Sequence, residues 1–144
     1  MFCSARLIGG VLGAALLVGC GAVLYDPALA TRPYPEALVQ ERVVQIQAVP
    51  LATTVELVNA TNIDYRNVDI WINRRFVQHA DALLAGETIA LEIENFRDVW
   101  GQCPQPGGFW RTRQPTPLML VQIQRDATSP LIGLVTVVPE EARY

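Results

Sequence analysis

From residue 44 onward, short runs of the chain place apolar side chains at every second position. Val44, Ile46 and Ala48 alternate with Gln45 and Gln47, and Val55 and Leu57 with Thr54 and Glu56. Val68, Ile70 and Ile72 alternate with Asp69 and Trp71, and Ile89, Leu91 and Ile93 with Ala90 and Glu92. Further on, Leu118, Leu120 and Gln122 alternate with Met119, Val121 and Ile123, so both faces begin apolar there. Ile132, Leu134, Thr136 and Val138 alternate with Gly133, Val135 and Val137. A period of two sends successive side chains to opposite faces of a strand, so each run offers an apolar face to a core. The β-branched residues that dominate the runs favour the same structure.

Turn chemistry separates the runs. Asn59, Asn62 and Asn67 can support turns through side-chain hydrogen bonds. Asn73-Arg74 is placed to close a tight hairpin between Trp71-Ile72 and Phe76-Val77, although Asn-Gly is the stronger hairpin signal. Ala85-Gly86-Glu87 and Asp126 to Pro130 mark further turns, and Asp81 to Leu84 carries a short helical pattern. The expected fold class is all-β: a single immunoglobulin-like antiparallel β-sandwich of about seven strands over residues 40–144. A small barrel is the runner-up.

The N-terminus reads differently. Arg6 is followed by the uncharged apolar stretch Leu7 to Val18, which has the length of a signal-peptide core, ~7–15 residues. It ends in Leu17-Val18-Gly19-Cys20, which resembles the lipobox of bacterial lipoproteins. The resemblance implies cleavage before Cys20 and lipidation of Cys20, with residues 1–19 as signal peptide. Two alternatives stand beside it. The uncharged run continues to Tyr25, just long enough for a single membrane span, though Gly9, Gly10, Gly13, Gly19 and Gly21 weaken a helix there. Ala28-Leu29-Ala30 offers an ordinary signal-peptidase site before Thr31. All three put the bulk of the chain outside the cytoplasm. The lipoprotein reading places it in the bacterial cell envelope, lipid-anchored, with the domain facing the periplasm or exterior. Gly21 carries no Asp retention signal, which by analogy points to the outer membrane. Residues 20–39, with Pro27, Pro33 and Pro35, read as a lipid-anchored extended tether.

Composition narrows the function classes. The chain has 144 residues, 51% hydrophobic and 17% charged, too apolar for a disordered polyelectrolyte. All 11 basic residues are Arg and the net charge is −3, so nucleic acid is not an expected partner. Under the lipoprotein reading Cys3 is removed and Cys20 carries lipid, leaving Cys103 as a possible free thiol. With one His, no zinc ligand set is available.

Val58-Asn59, then Asn67 to Asn73, then Ala85-Gly86-Glu87-Thr88, then Phe96-Arg97-Asp98 and Gly101 come in a recognisable order. It resembles the small extracytoplasmic β-sandwich domains called FxLYD-like, over roughly residues 53–101. The resemblance implies fold and export and brings no catalytic residues with it. Arg74 stands where that pattern has a hairpin Gly.

Candidate chemistry is sparse, and no enzyme and no cofactor is expected. Catalytic and nucleotide-binding fingerprints are missing. A Ser/His/Asp triad would have to use His79 and Ser129. Glu92 and Glu94 read as the solvated face of a strand, and His79 with Asp81 as a surface pair beside a turn. Asn59-Ala60-Thr61 has the form of a glycosylation sequon, and Asp64 and Asp69 lack the spacing of a calcium loop. Residues 100–117 are the informative stretch. They hold Trp100, Phe109, Trp110, Arg111 and Arg113 among prolines and glycines, and Trp and Arg are enriched at binding hot spots. They read either as a protruding recognition loop or as a structural strand around Phe109 to Arg113. The expected function is a non-catalytic protein-binding or assembly module. A glycan or small-ligand binder using the same aromatic and Arg residues is the alternative.

Overall fold

The structure, a computed structural model, describes residues 25–108 and 113–137. It is all-β. Seven strands follow in order: β1 (Gln40–Pro50), β2 (Thr54–Asn59), β3 (Tyr65–Ile72), β4 (Phe76–Leu83), β5 (Thr88–Glu92), β6 (Val121–Gln124) and β7 (Leu131–Thr136). They form one sheet in the order β4-β3-β6-β7-β1-β2-β5. β1 is shared. Its first part lies beside β7, and the part from Ile46 onward also pairs with β2. This groups β4-β3-β6-β7 on one side of β1 and β2-β5 on the other within one mixed sheet. The sheet is nearly closed. After β5 the chain crosses back, and Arg97 exchanges backbone hydrogen bonds with Val77 on β4 (2.9 and 3.1 Å).

One pairing departs from a purely antiparallel sheet: β1 runs parallel to β7. The two strands are separated by most of the domain, so no tight turn between them imposes the antiparallel sense.

The alternating positions pack as their period demands. Ile46, Leu57, Val68, Ile70, Ile72, Val121, Ile123 and Ile132 share one core with Phe96. Tyr65 joins them although it lies three residues before Val68, a spacing that strict alternation sends to opposite faces. Asn67 resolves this. It sits in the left-handed region (φ 49) and resets the phase of β3, a conformation Asn tolerates better than most residues. Asp81 and Ala82, expected in a helical turn, continue β4 as strand, because Tyr65 and Arg66 pair with Leu83 and Ala82 across the ladder.

The hairpin at Asn73-Arg74 forms. Both residues are left-handed (φ 53 and 55), and Arg75 N donates to Ile72 O at 3.0 Å. Asn73 supplies the anchorage that a Gly would lack. Its Nδ2 donates to Pro117 O (2.7 Å), and its Oδ1 accepts from Met119 N and Leu120 N (2.9 and 3.1 Å).

Residues 25–39, the C-terminal part of the Pro-rich segment, cross the outer face of the sheet. Tyr25 bridges Gln102, and Thr31 N donates to Asp98 O at 2.9 Å. Tyr34 and Leu38 cover Trp71, which points away from the main core yet is fully buried. Beneath this strap lie glutamines that alternation would send to solvent. Gln122 accepts from Tyr34 Oη (2.8 Å) and donates to Gln40 (2.7 Å), while Gln124 accepts from Trp71 Nε1 (2.8 Å) and Arg32 (2.9 Å). Gly133 leaves room for Gln40, since a Cβ there would lie 2.7 Å from its Nε2.

Asn59 is buried, and its side chain is saturated. Nδ2 donates to the carbonyls of Ile63 (2.9 Å), Leu83 (3.2 Å) and Leu84 (3.0 Å), and Oδ1 accepts from Thr61 N and Oγ1. The sequon therefore offers no accessible amide in the folded domain; the residue knots the end of β2 to the end of β4. Asn59→Ala removes the amide's bonds to these three carbonyls, at roughly 1 kcal/mol each. We expect a loss of about 2–4 kcal/mol in urea unfolding with the m-value unchanged.

Candidate functional site

Arg74 and Arg75 at the β3–β4 hairpin, residues 98–100, and Pro33, Tyr34 and Glu36 of the strap line an open groove of about 490 Å³. Its geometry is organised by Asp98, only 1% exposed. Oδ2 accepts from Arg75 Nε (2.9 Å) and Nη2 (2.7 Å). Oδ1 accepts from the backbone N–H groups of Trp100 and Gln102, both at 2.9 Å. One carboxylate thus fixes a guanidinium and the loop that carries Trp100. Arg75 also donates to Gln102 Oε1, and its guanidinium lies 5.7 Å from the centre of the Trp100 ring. Gly101 (φ 78) completes the loop: a Cβ there would meet Asp26 O at 1.8 Å, so the strap docks against bare backbone.

Trp100 itself is 61% exposed. The neighbouring Arg74 guanidinium lies 5.8 Å from the Tyr34 ring, and its left-handed backbone is strained for a residue with a Cβ. The groove therefore presents an indole, a phenol and two guanidiniums on a hydrogen-bonded platform. Burial alone would raise the Asp98 carboxyl; the bonds from Arg75, Gln102 N and Trp100 N outweigh it and hold it below the ordinary range.

The sequence-derived candidates scatter. Trp100 lies in the groove and Arg113 is exposed outside it. Phe109, Trp110 and Arg111 lie outside the described residues, as does Cys20. On either side of them, Thr116 N donates to Gln105 O (2.9 Å) and Gln105 N to Thr116 Oγ1 (2.8 Å). Cys103 is buried and unpaired among the described residues, and burial pushes its thiol up, so it is a poor nucleophile. Glu92 ends β5 and Glu94 sits in the following 3-10 turn, so the two do not share a strand face. His79 lies within β4, its Nδ1 2.9 Å from Asp69 and its Nε2 3.6 Å from Asp81. Asp69 also takes Arg32. Burial pulls its carboxyl upward, but the bonds from Arg32 and His79 prevail and lower it. Among the described residues, no three His, Cys, Asp or Glu side chains converge on a metal position.

Sequence reasoning missed the Asp98–Arg75 pair and Tyr34. Asp98 appears in the sequence only as one member of a loop pattern, and nothing local marks Arg75, 23 residues earlier, as its partner. No helix among the described residues is long and apolar enough to cross a membrane. No family model, curated protein or solved structure matches the chain.

A carboxyl lowered in the folded state stabilises above its unfolded value near 4 and loses that contribution as pH falls through its folded value. Asp98→Asn should lower stability at pH 7 by about 2 kcal/mol, allowing for the half-exposed Arg75. The gap between the native chain and the variant, followed by denaturant unfolding, should stay constant above pH ~5 and shrink below pH ~4.

Proposed function

We propose that the protein is a membrane-anchored envelope lipoprotein whose β-sandwich binds another envelope protein, without turnover, through the Trp100 groove. One observation carries the binding reading: a large indole held out to solvent by a buried carboxylate that spends all its hydrogen bonds on the supporting loop and Arg75. Exposed Trp and Arg beside a half-buried Tyr on a stiff support are the composition of an interface hot spot. The anchor reading rests on Leu17-Val18-Gly19-Cys20. A glycan is the second reading, supported by the same ring with Arg75 and Glu36 in one groove.

Trp100→Ala should melt within about 0.5 kcal/mol of the parent, as surface substitutions do, and lose capture of an envelope protein by a photo-crosslinker at position 74. Capture that persists in the variant overturns the assignment, and binding of cell-wall glycan without any protein adduct selects the second reading. For the anchor, the mass of the N-terminal peptide from membranes should show an acylated Cys20, absent in Cys20→Ala. A free Thr31 or an intact Met1 contradicts it.

A further inference from the structure

Strand β5 is an open edge of the sheet, and none of the residues lining the Trp100 groove belongs to it. Its hydrogen-bond phase against β2 is fixed at both ends. Asn59 N donates to Glu87 O (2.9 Å), and Ile93 N donates to Thr53 O (2.8 Å). In an antiparallel ladder, residues that bond the neighbouring strand alternate with residues whose backbone groups point away from it. Counting inward from those two bonds, Ile89 and Leu91 turn their N–H and C=O groups to Leu57 and Val55. Thr88, Ala90 and Glu92 turn theirs to the open side, where no backbone bond joins them to another strand among the described residues. The Glu92 carbonyl opens the following 3-10 turn, so the free groups are the N–H and C=O of Thr88 and Ala90 and the N–H of Glu92.

The two edges of the sheet are not alike. Arg97 bridges the start of β4 at Val77, and His79 and Asp81 stand exposed along the rest of it. Folded proteins commonly blunt an exposed edge with charge, proline or a bulge. Thr88–Glu92 carries no proline and no register shift, and its one charge sits on its last residue. Its two faces are also divided. Leu91 is buried in the main core and Ile89 packs against that core while half-buried, whereas Thr88, Ala90 and Glu92 are exposed.

We propose that β5 pairs antiparallel with β5 of a second copy, about a two-fold axis at Ala90, so that two sheets join edge to edge. The free backbone groups set the register. Ala90 and the partner's Ala90 exchange both N–H···O=C bonds, and Glu92 N of each copy donates to the Thr88 carbonyl of the other. That makes four backbone bonds, and the strand overlaps along its whole length. The same register is self-complementary on both faces. On the outer face each Glu92 meets a Thr88 hydroxyl, so no like charges oppose each other. On the inner face Ile89 meets the partner's Leu91, and the exposed part of Ile89 is covered. A five-residue strand pair is smaller than a standard interface of about 800 Å² per partner, so the dimer is a reversible one.

The test traps it in the full chain. Directly opposed residues of a hydrogen-bonded antiparallel pair have Cα atoms about 5.5 Å apart, within the ~4.4–6.8 Å that a disulfide spans. Oxidised Ala90→Cys should give a disulfide-linked dimer at least fivefold above the parent, whose own cysteines set the background. Thr88→Cys, roughly 14 Å from its counterpart in this register at ~3.4 Å per residue, should stay at the parent level. In sedimentation, the parent should dimerise reversibly, and Ala90→Pro should raise the dissociation constant at least tenfold. An edge proline whose missing N–H faces outward is tolerated by the monomer, so the variant should keep the parent melting temperature. Ala90→Arg sets two guanidiniums against each other across the axis and should match it, which keeps the test valid for a proline variant that does not fold. Equal trapping at positions 88 and 90, a parent that stays monomeric at submillimolar concentration, or a dissociation constant unchanged in Ala90→Arg overturns the proposal. So do Ala90→Cys adducts in cells with other proteins and none with itself.

Discussion

Strand β1 is the hydrogen-bonded hinge of the sheet. It pairs with β7 from Gln40 to Ala48 and with β2 from Ile46 to Pro50, so β4-β3-β6-β7 and β2-β5 hang together through this one strand. Serving two neighbours at staggered heights requires length, and β1 is the longest strand, with register shifts against β7 after Gln40 and Val43. The single Arg97–Val77 bridge closes the opposite side. With both seams made, the apolar faces of all seven strands turn onto a common core, which supplies most of the folding free energy. The Trp100 groove then lies where β3 runs out into its hairpin.

Polar side chains do the fastening that composition withholds from the core. Asn59 ties two strand ends, Asn73 ties a hairpin to the segment before β6, and Asp98 ties the Trp100 loop to β4's entry. In each case one short side chain makes several hydrogen bonds to backbone groups at a turn or strand end. The same economy appears under the strap, where Gln40, Gln122 and Tyr34 form a chain on the outer face.

Much of the fold was legible in the sequence because it rests on local rules. The runs around Val55, Val68 and Leu91 alternate and become strands with those residues inside. Asn73-Arg74 sits between two such runs and becomes the hairpin. The strap was not legible. Prolines erase periodicity, and the partners of Arg32 and Tyr34 lie 92 and 88 residues away. For the same reason Gln122 and Gln124 look like solvent-facing residues and are buried. Of the candidate site, Trp100 was legible by residue type. Its support was not, since a carboxylate that organises a loop looks in sequence like any other surface Asp.

The strap also sets which end of the domain the N-terminal segment meets. Tyr25 bridges Gln102 and Asp26 N donates to Gly101 O at 3.0 Å, beside Trp100. At ~3.5 Å per residue, the stretch from Cys20 to Tyr25 reaches about 18 Å at most, less than the roughly 26 Å length of β3 at ~3.3 Å per residue. With a lipid on Cys20, such a leash is too short for the sandwich to tumble end over end. The indole end would be held at the bilayer and its partner sought among proteins lying in or on that same membrane, while the far end of β3 would stand off from the lipid.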